Sequence, residues 1–135
     1  MRRPDPAIWA AIVAQILSWA AFLLLLLWPN YYQGVSFIVG SDGELIRGPQ
    51  VSSSLVAVNG TWIVLVLLIP VAITALLFLV VKSNRRGKMV SVSAWLLTAG
   101  LLFFCALGAF SVGPIYLPAA SAAVVASTLA LRRRA

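Results

Sequence analysis

Residues 62–88 read WIVLVLLIPVAITALLFLVVKSNRRGK. The first twenty, Trp62 to Val81, carry no charge, and as a helix rising about 1.5 Å per residue they span about 30 Å, the thickness of a bilayer's hydrocarbon core. Lys82, Arg85, Arg86 and Lys88 follow at once. A helix of this length on a soluble domain shows a polar face. This one has none, so the stretch predicts a transmembrane helix that ends in a basic loop.

The same pattern recurs on either side. Apolar runs cover Ala7–Trp28, Met89–Phe110 and Ile115–Leu131, and with Trp62–Val81 they take 81 of the 135 residues. The run at 115–131 has 17 residues, the short limit for a span. Apolar residues make up 62% of the chain, charged residues 10%, and the mean hydropathy is +1.03. An ordinary soluble domain is about 45–50% apolar, so that class is excluded. The expected fold is all-α and transmembrane: a four-helix antiparallel bundle with one extracytoplasmic loop. It forms a single membrane domain over 1–135, with an outer loop at 29–61 and an inner loop at 82–88. The first run is too long for a signal peptide and lacks a small-residue cleavage site, so it reads as a retained helix.

Ten basic residues against three acidic ones give a net charge of +7, but their placement matters more than their sum. Arg2 and Arg3, the inner-loop cluster, and Arg132, Arg133 and Arg134 all fall on one side of a four-span chain. Only Arg47 falls on the other. The positive-inside rule makes the rich side cytoplasmic, with both termini inside. Short clusters pressed against helix ends do not suit nucleic acid; they suit anionic lipid head groups, at about 1 kcal/mol per basic residue. Trp28, Tyr31, Tyr32, Trp62 and Tyr116 are expected at the outer interface, and Trp9 and Trp95 at the inner one.

In the outer loop, Val35–Gly40 and Glu44–Arg47 flank the tight-turn signal Ser41-Asp42-Gly43 and predict a small β-hairpin, with Gly48-Pro49 ending its second arm. Ser52–Asn59 reads either as a short interfacial helix capped by Ser52 or Ser53, or as a third strand. Asn59-Gly60-Thr61 fits the glycosylation pattern but reads first as a helix-breaking turn, with Thr61 capping the next helix.

Small residues predict packing seams. These are Ala10, Ala14 and Ser18 on the first helix, a thin surface of Ala94, Thr98, Ala99, Gly100, Gly108 and Ala109 on the third, and Ala119, Ala123 and Ser127 on the fourth. Pro70 has no N–H for the carbonyl of Val66 and should bend the second helix, as a packed kink or as a gating hinge. The short Ser111–Pro114 turn requires helices three and four to be antiparallel neighbours.

Chemistry is sparse. No Asp, Glu, Lys, Arg or His falls within a predicted span and the chain has no histidine, so proton relays and charged-substrate sites lack their usual mark. General acid–base catalysis would fall to Asp5, Asp42 or Glu44, and the sequence sets no histidine or second catalytic group beside them. No metal-ligand spacing occurs, and Cys105 is alone. The expectation is a protein without catalytic residues, metal or cofactor. Gln15 is the most polar side chain in a span. Its amide is expected to bond Thr74, Ser93, Thr98 or Ser127 for about 0.6–2 kcal/mol, or to line a polar path with Ser18, Thr74 and Thr98. Asp42 and Glu44 are expected either to meet Arg47 across the hairpin or to bind an external partner.

The stretches Leu55-Val-Ala-Val-Asn-Gly-Thr-Trp62, with Pro70 beyond, and Ser111-Val-Gly-Pro-Ile-Tyr-Leu-Pro-Ala119 resemble those of small uncharacterised bacterial four-helix integral membrane proteins. The likeness covers most of the chain. It implies a bacterial cytoplasmic membrane and carries no activity and no site residues. Together these features predict a non-enzymatic accessory protein whose outer loop (Asp42, Glu44, Arg47) and helix edges contact a membrane partner. The alternative is a subunit of a small transporter or homo-oligomeric pore, in which Gln15 and Pro70 would act.

Overall fold

Asp5 starts the first helix. Its side chain accepts the Ala7 N–H at 3.1 Å, and its carbonyl accepts those of Ile8 and Trp9 at 3.0 and 3.2 Å, which satisfies donors that a helix N-terminus leaves open. The computed structural model describes residues 5–83 and 88–132. Expectations for Arg2, Arg3, Arg85, Arg86, Arg133 and Arg134, and for the side chain of Lys88, lie outside those residues. In chain order the elements are α1 (Pro6–Leu27), β1 (Tyr32–Val39), β2 (Leu45–Ser53), α2 (Leu55–Asn59), α3 (Trp62–Lys82), α4 (Lys88–Leu107) and α5 (Gly113–Arg132). Four of these, α1, α3, α4 and α5, are long and apolar enough to cross a membrane.

The chain divides into two compact units, one of Leu23–Val66 and one of Met1–Phe22 with Leu67–Ala135. In the larger unit each long helix buries one narrow face. On α1 it is Ala7, Ala11, Ala14, Ser18 and Ala21, and on α4 it is Ser91, Ala94, Thr98, Leu101 and Cys105. The steps alternate between three and four. A strict four-residue row drifts around a helix of 3.6 residues per turn, whereas alternation averages 3.5 and holds the face toward a neighbour. This corrects two expected seams: Ala10 is only half-buried, and Ala99, Gly100 and Ala109 are exposed. The α5 seam contains Ala119, Ala123 and Ser127, together with Tyr116, Ala120 and Ala126.

α4 ends at Leu107, three residues short of Phe110, and α5 begins at Gly113, two before Ile115. The Gly113 N–H donates to the Gly108 carbonyl at 2.7 Å, and the Ser111 N–H donates to the same oxygen at 2.9 Å. A Cβ at Gly113 would run into the Cys105 carbonyl oxygen and lie 2.7 Å from that of Gly108, so the turn closes only around glycine. Pro114 falls in the first turn of α5, where its missing N–H does no harm.

In the smaller unit β1 and β2 pair antiparallel, from Val39 opposite Leu45 to Tyr32 opposite Ser53. Gly48-Pro49 does not end the second arm. Between Val35 and Phe37 the register shifts: Gly48 and Pro49 together oppose Ser36 in a bulge, a place where a strand tolerates proline. Ser36 donates its hydroxyl to the Pro49 carbonyl at 2.9 Å, and a Cβ at Gly48 would lie 2.9 Å from the Ser36 carbonyl oxygen. β2 therefore absorbs Ser52 and Ser53, and Ser54 caps α2 instead, accepting the Ala57 N–H at 3.2 Å. Asn59 donates to the Leu55 carbonyl at 3.0 Å and to the Tyr32 hydroxyl at 3.5 Å, which ties α2 to β1.

Candidate functional site

The polar side chains of the long helices were expected to converge, and most of them settle separately. Thr98 and Ser127 share a hydrogen bond at 2.8 Å between α4 and α5. Each hydroxyl has one proton, so Ser127 donates either to Thr98 or to the Ala94 carbonyl at 3.2 Å, and Thr98 either to Ser127 or to the Ala123 carbonyl at 3.5 Å. Both side chains are fully buried. Partners that step forward along α4 while stepping back along α5 make this pair of helices antiparallel. Thr74, also fully buried, donates within its own helix to the carbonyls of Pro70 and Val71, each at 3.0 Å.

Gln15 bonds neither Thr74, Ser93, Thr98 nor Ser127, and its Oε1 is buried with no hydrogen-bond partner among the described residues. Thr74, Thr98 and Ser127 are already engaged, and Gln15 sits one step off the α1 face that runs through Ala14 and Ser18. Ser18 lies on that face, fully buried, with its hydroxyl also unpartnered, as is that of Ser91 on α4. Of the expected path, then, Thr74 and Thr98 are satisfied within or between α3, α4 and α5, while Gln15 and Ser18 leave two open polar atoms on α1.

Tyr116 was expected at the aqueous interface and is instead completely buried. Its hydroxyl donates to the Leu67 carbonyl at 2.9 Å, and its ring meets Phe104 edge to face with centroids 5.9 Å apart. Position 116 continues the α5 seam backward from Ala119 and Ala123, and that spacing was the signal for its burial. The bond bears on Pro70. The proline leaves the Val66 carbonyl without a helical donor, and Tyr116 grips the next carbonyl along. α3 runs unbroken through Pro70 to Lys82, with Tyr116 binding before the proline and Thr74 after it.

The second group of candidates lies on the hairpin. The turn closes through the Gly40 N–H to the Glu44 carbonyl at 2.8 Å and the Gly43 N–H to the Gly40 carbonyl at 3.0 Å. Asp42, Glu44 and Arg47 are all exposed. The expected ion pair to Arg47 does not form. Three residues apart in extended chain, Glu44 and Arg47 point to opposite faces of the pleat, and Asp42 projects from the turn itself. Around these charges Phe37, Ile38, Val39, Leu45 and Ile46 are more than half exposed, Leu45 the most at 71%. The arm thus combines an acidic turn with strands that are apolar on both faces. At the far end of α3, Lys82 places its ammonium 5.6 Å from the centroid of the Phe78 ring.

Comparison with protein-family models, with curated proteins and with solved structures finds no match to this chain.

Proposed function

We propose that this chain is a non-enzymatic integral membrane protein of the bacterial cytoplasmic membrane. Its four long helices form an antiparallel bundle with both termini inside, and its outer hairpin engages another membrane component. The observation that carries this reading is the hairpin itself: apolar side chains exposed on both faces beside an acidic turn, in a chain with no Asp, Glu, Lys, Arg or His inside its predicted spans. Patches of this kind on a folded protein mark contact surfaces. The basic clusters at the helix ends support contact with anionic lipid on the inner side, and the resemblance to small bacterial four-helix membrane proteins agrees with the assignment.

The test is purification of the tagged full chain from its native membrane into nanodiscs, with co-purifying proteins identified by mass spectrometry. A stoichiometric foreign membrane protein is expected, and it should be lost on combining Asp42→Ala, Glu44→Ala and Arg47→Ala. A preparation without any foreign protein overturns the accessory role. A second reading, a subunit of a small transporter or oligomeric pore, is favoured by one observation, the unpartnered Gln15 Oε1 and Ser18 hydroxyl on α1. Solute flux that survives Gln15→Leu would remove Gln15 from that role.

A further inference from the structure

The two outer edges of the hairpin are unlike. The β2 edge is kinked by the Gly48-Pro49 bulge. Arg47 precedes it. Bulge and charge are devices that stop a strand edge from pairing. β1, Tyr32–Val39, reads YQGVSFIV and has none of them. The bond from the Gly40 N–H to Glu44 sets the antiparallel alternation. Ile38 and Gly40 turn their main-chain groups toward β2, and Phe37, Val39 and, continuing the period of two, Gln33 and Val35 turn theirs away. No bond from a turn, loop or cap covers that outward side among the described residues.

We infer that the outer edge of β1 pairs antiparallel with β1 of a second copy, giving a four-stranded sheet ordered β2-β1-β1-β2 about a two-fold axis. The strand is suited to meet itself. It carries no charge, so two copies do not repel across the ladder. With Ser36 opposite Ser36 of the second copy, Val35 faces Phe37 and Gln33 faces Val39. All four outward residues of each strand are then used, for about eight main-chain hydrogen bonds. On the other face Ile38 falls opposite Gly34, where an added Cβ meets nothing within 4 Å, leaving room for the larger side chain. The blunted β2 edges end the sheet at two copies and prevent a growing filament. This pairing uses only the β1 edge and goes beyond the accessory role, since it does not depend on what meets the turn.

The experiment uses the full chain in native membranes with Cys105, the single cysteine, replaced by Ser. A cysteine is then introduced at Ser36, mild oxidant is added, and covalent dimer is read on a non-reducing gel. Facing residues of a non-hydrogen-bonded pair stand about 4.5 Å apart at Cα, within disulfide reach. Ser36→Cys should link at least about tenfold more than Ile46→Cys or Val51→Cys on β2. Adding Phe37→Pro, or Gln33→Pro at the other end of the edge, removes an outward N–H without touching the bonds to β2 and should bring the link down to the β2 level. A Ser36→Cys link no stronger than the β2 controls, a link to a different protein, or a link indifferent to both prolines overturns the proposal.

Discussion

Removing a single oxygen atom tests whether Tyr116 holds α3 at Pro70. Tyr116→Phe deletes the hydroxyl that donates to the Leu67 carbonyl at 2.9 Å and leaves the buried ring and its edge contact with Phe104 in place. The Leu67 carbonyl also accepts the helical N–H of Val71, so only its second bond is lost. Polar bonds between membrane helices average about 0.6 kcal/mol and reach about 1.7, and the substitution should fall in that range. Tyr116→Ala empties a fully buried aromatic site as well and should cost about 3–5 kcal/mol. Pro70→Ala restores the donor for the Val66 carbonyl, one residue from the one Tyr116 binds. The two sites should therefore couple by at least about 0.5 kcal/mol in a double-mutant cycle. Reversible unfolding of the purified chain in mixed micelles supplies all four stabilities. A Tyr116→Phe cost above about 3 kcal/mol, a Tyr116→Ala cost below about 1, or strict additivity with Pro70→Ala would refute this account.

Thr98→Val and Ser127→Ala should each cost about 0.6–2 kcal/mol in the same assay, and the double variant should cost less than their sum by at least about 0.5 because one bond is counted twice; simple addition would show that the two hydroxyls do not meet. Gly113→Ala should destabilise by about 2–3 kcal/mol through its clash with the Cys105 carbonyl, whereas Gly100→Ala, with nothing within 4 Å of its added carbon, should stay within about 0.5; the opposite order would dismiss the tight turn. Ser54→Ala should cost α2 about 1 kcal/mol, read as faster hydrogen exchange at the Ala57 amide, and unchanged protection there would deny the cap.

The long helices were legible because length and uniform apolarity leave few alternatives for such runs. The hairpin was legible from its turn residues. Its extent was not: Gly48-Pro49 signals a stop in isolation, and only the position of Ser36 on the facing strand turns the same dipeptide into a bulge. The cap of α2 moved to Ser54 for the same reason, since the lengthened β2 consumed Ser52 and Ser53. Tyr116 was misplaced because an aromatic residue at a helix start suits both an interface and a core, and deciding between them required the α5 seam to be carried back past Pro118. Of the candidate site, the exposed charges on the hairpin were readable and their pairing was not, because it depends on which face of the pleat each residue takes.

The polar atoms of the long helices are unevenly satisfied, in a way that bears on function. Thr74, Thr98, Ser127 and Tyr116, on α3, α4 and α5, donate to carbonyls or to one another. Gln15 Oε1 and the Ser18 hydroxyl on α1, and the Ser91 hydroxyl on α4, remain open. They are not equivalent. A serine hydroxyl can rotate to the carbonyl one turn back in its own helix, but an amide oxygen only accepts and needs a donor from elsewhere. No group among the described residues donates to it, so in this arrangement the donor is left to water or to another chain. A buried acceptor without one costs about 1–3 kcal/mol, and Gln15→Met, similar in shape and free of that need, should leave the isolated chain as stable or raise it by about 1 kcal/mol. If Gln15 serves assembly or flux, the same substitution weakens that function while the chain alone gains. A Gln15→Met chain that is less stable in isolation would show instead that the amide already has its partner within the bundle, and would return Gln15 to a purely structural role.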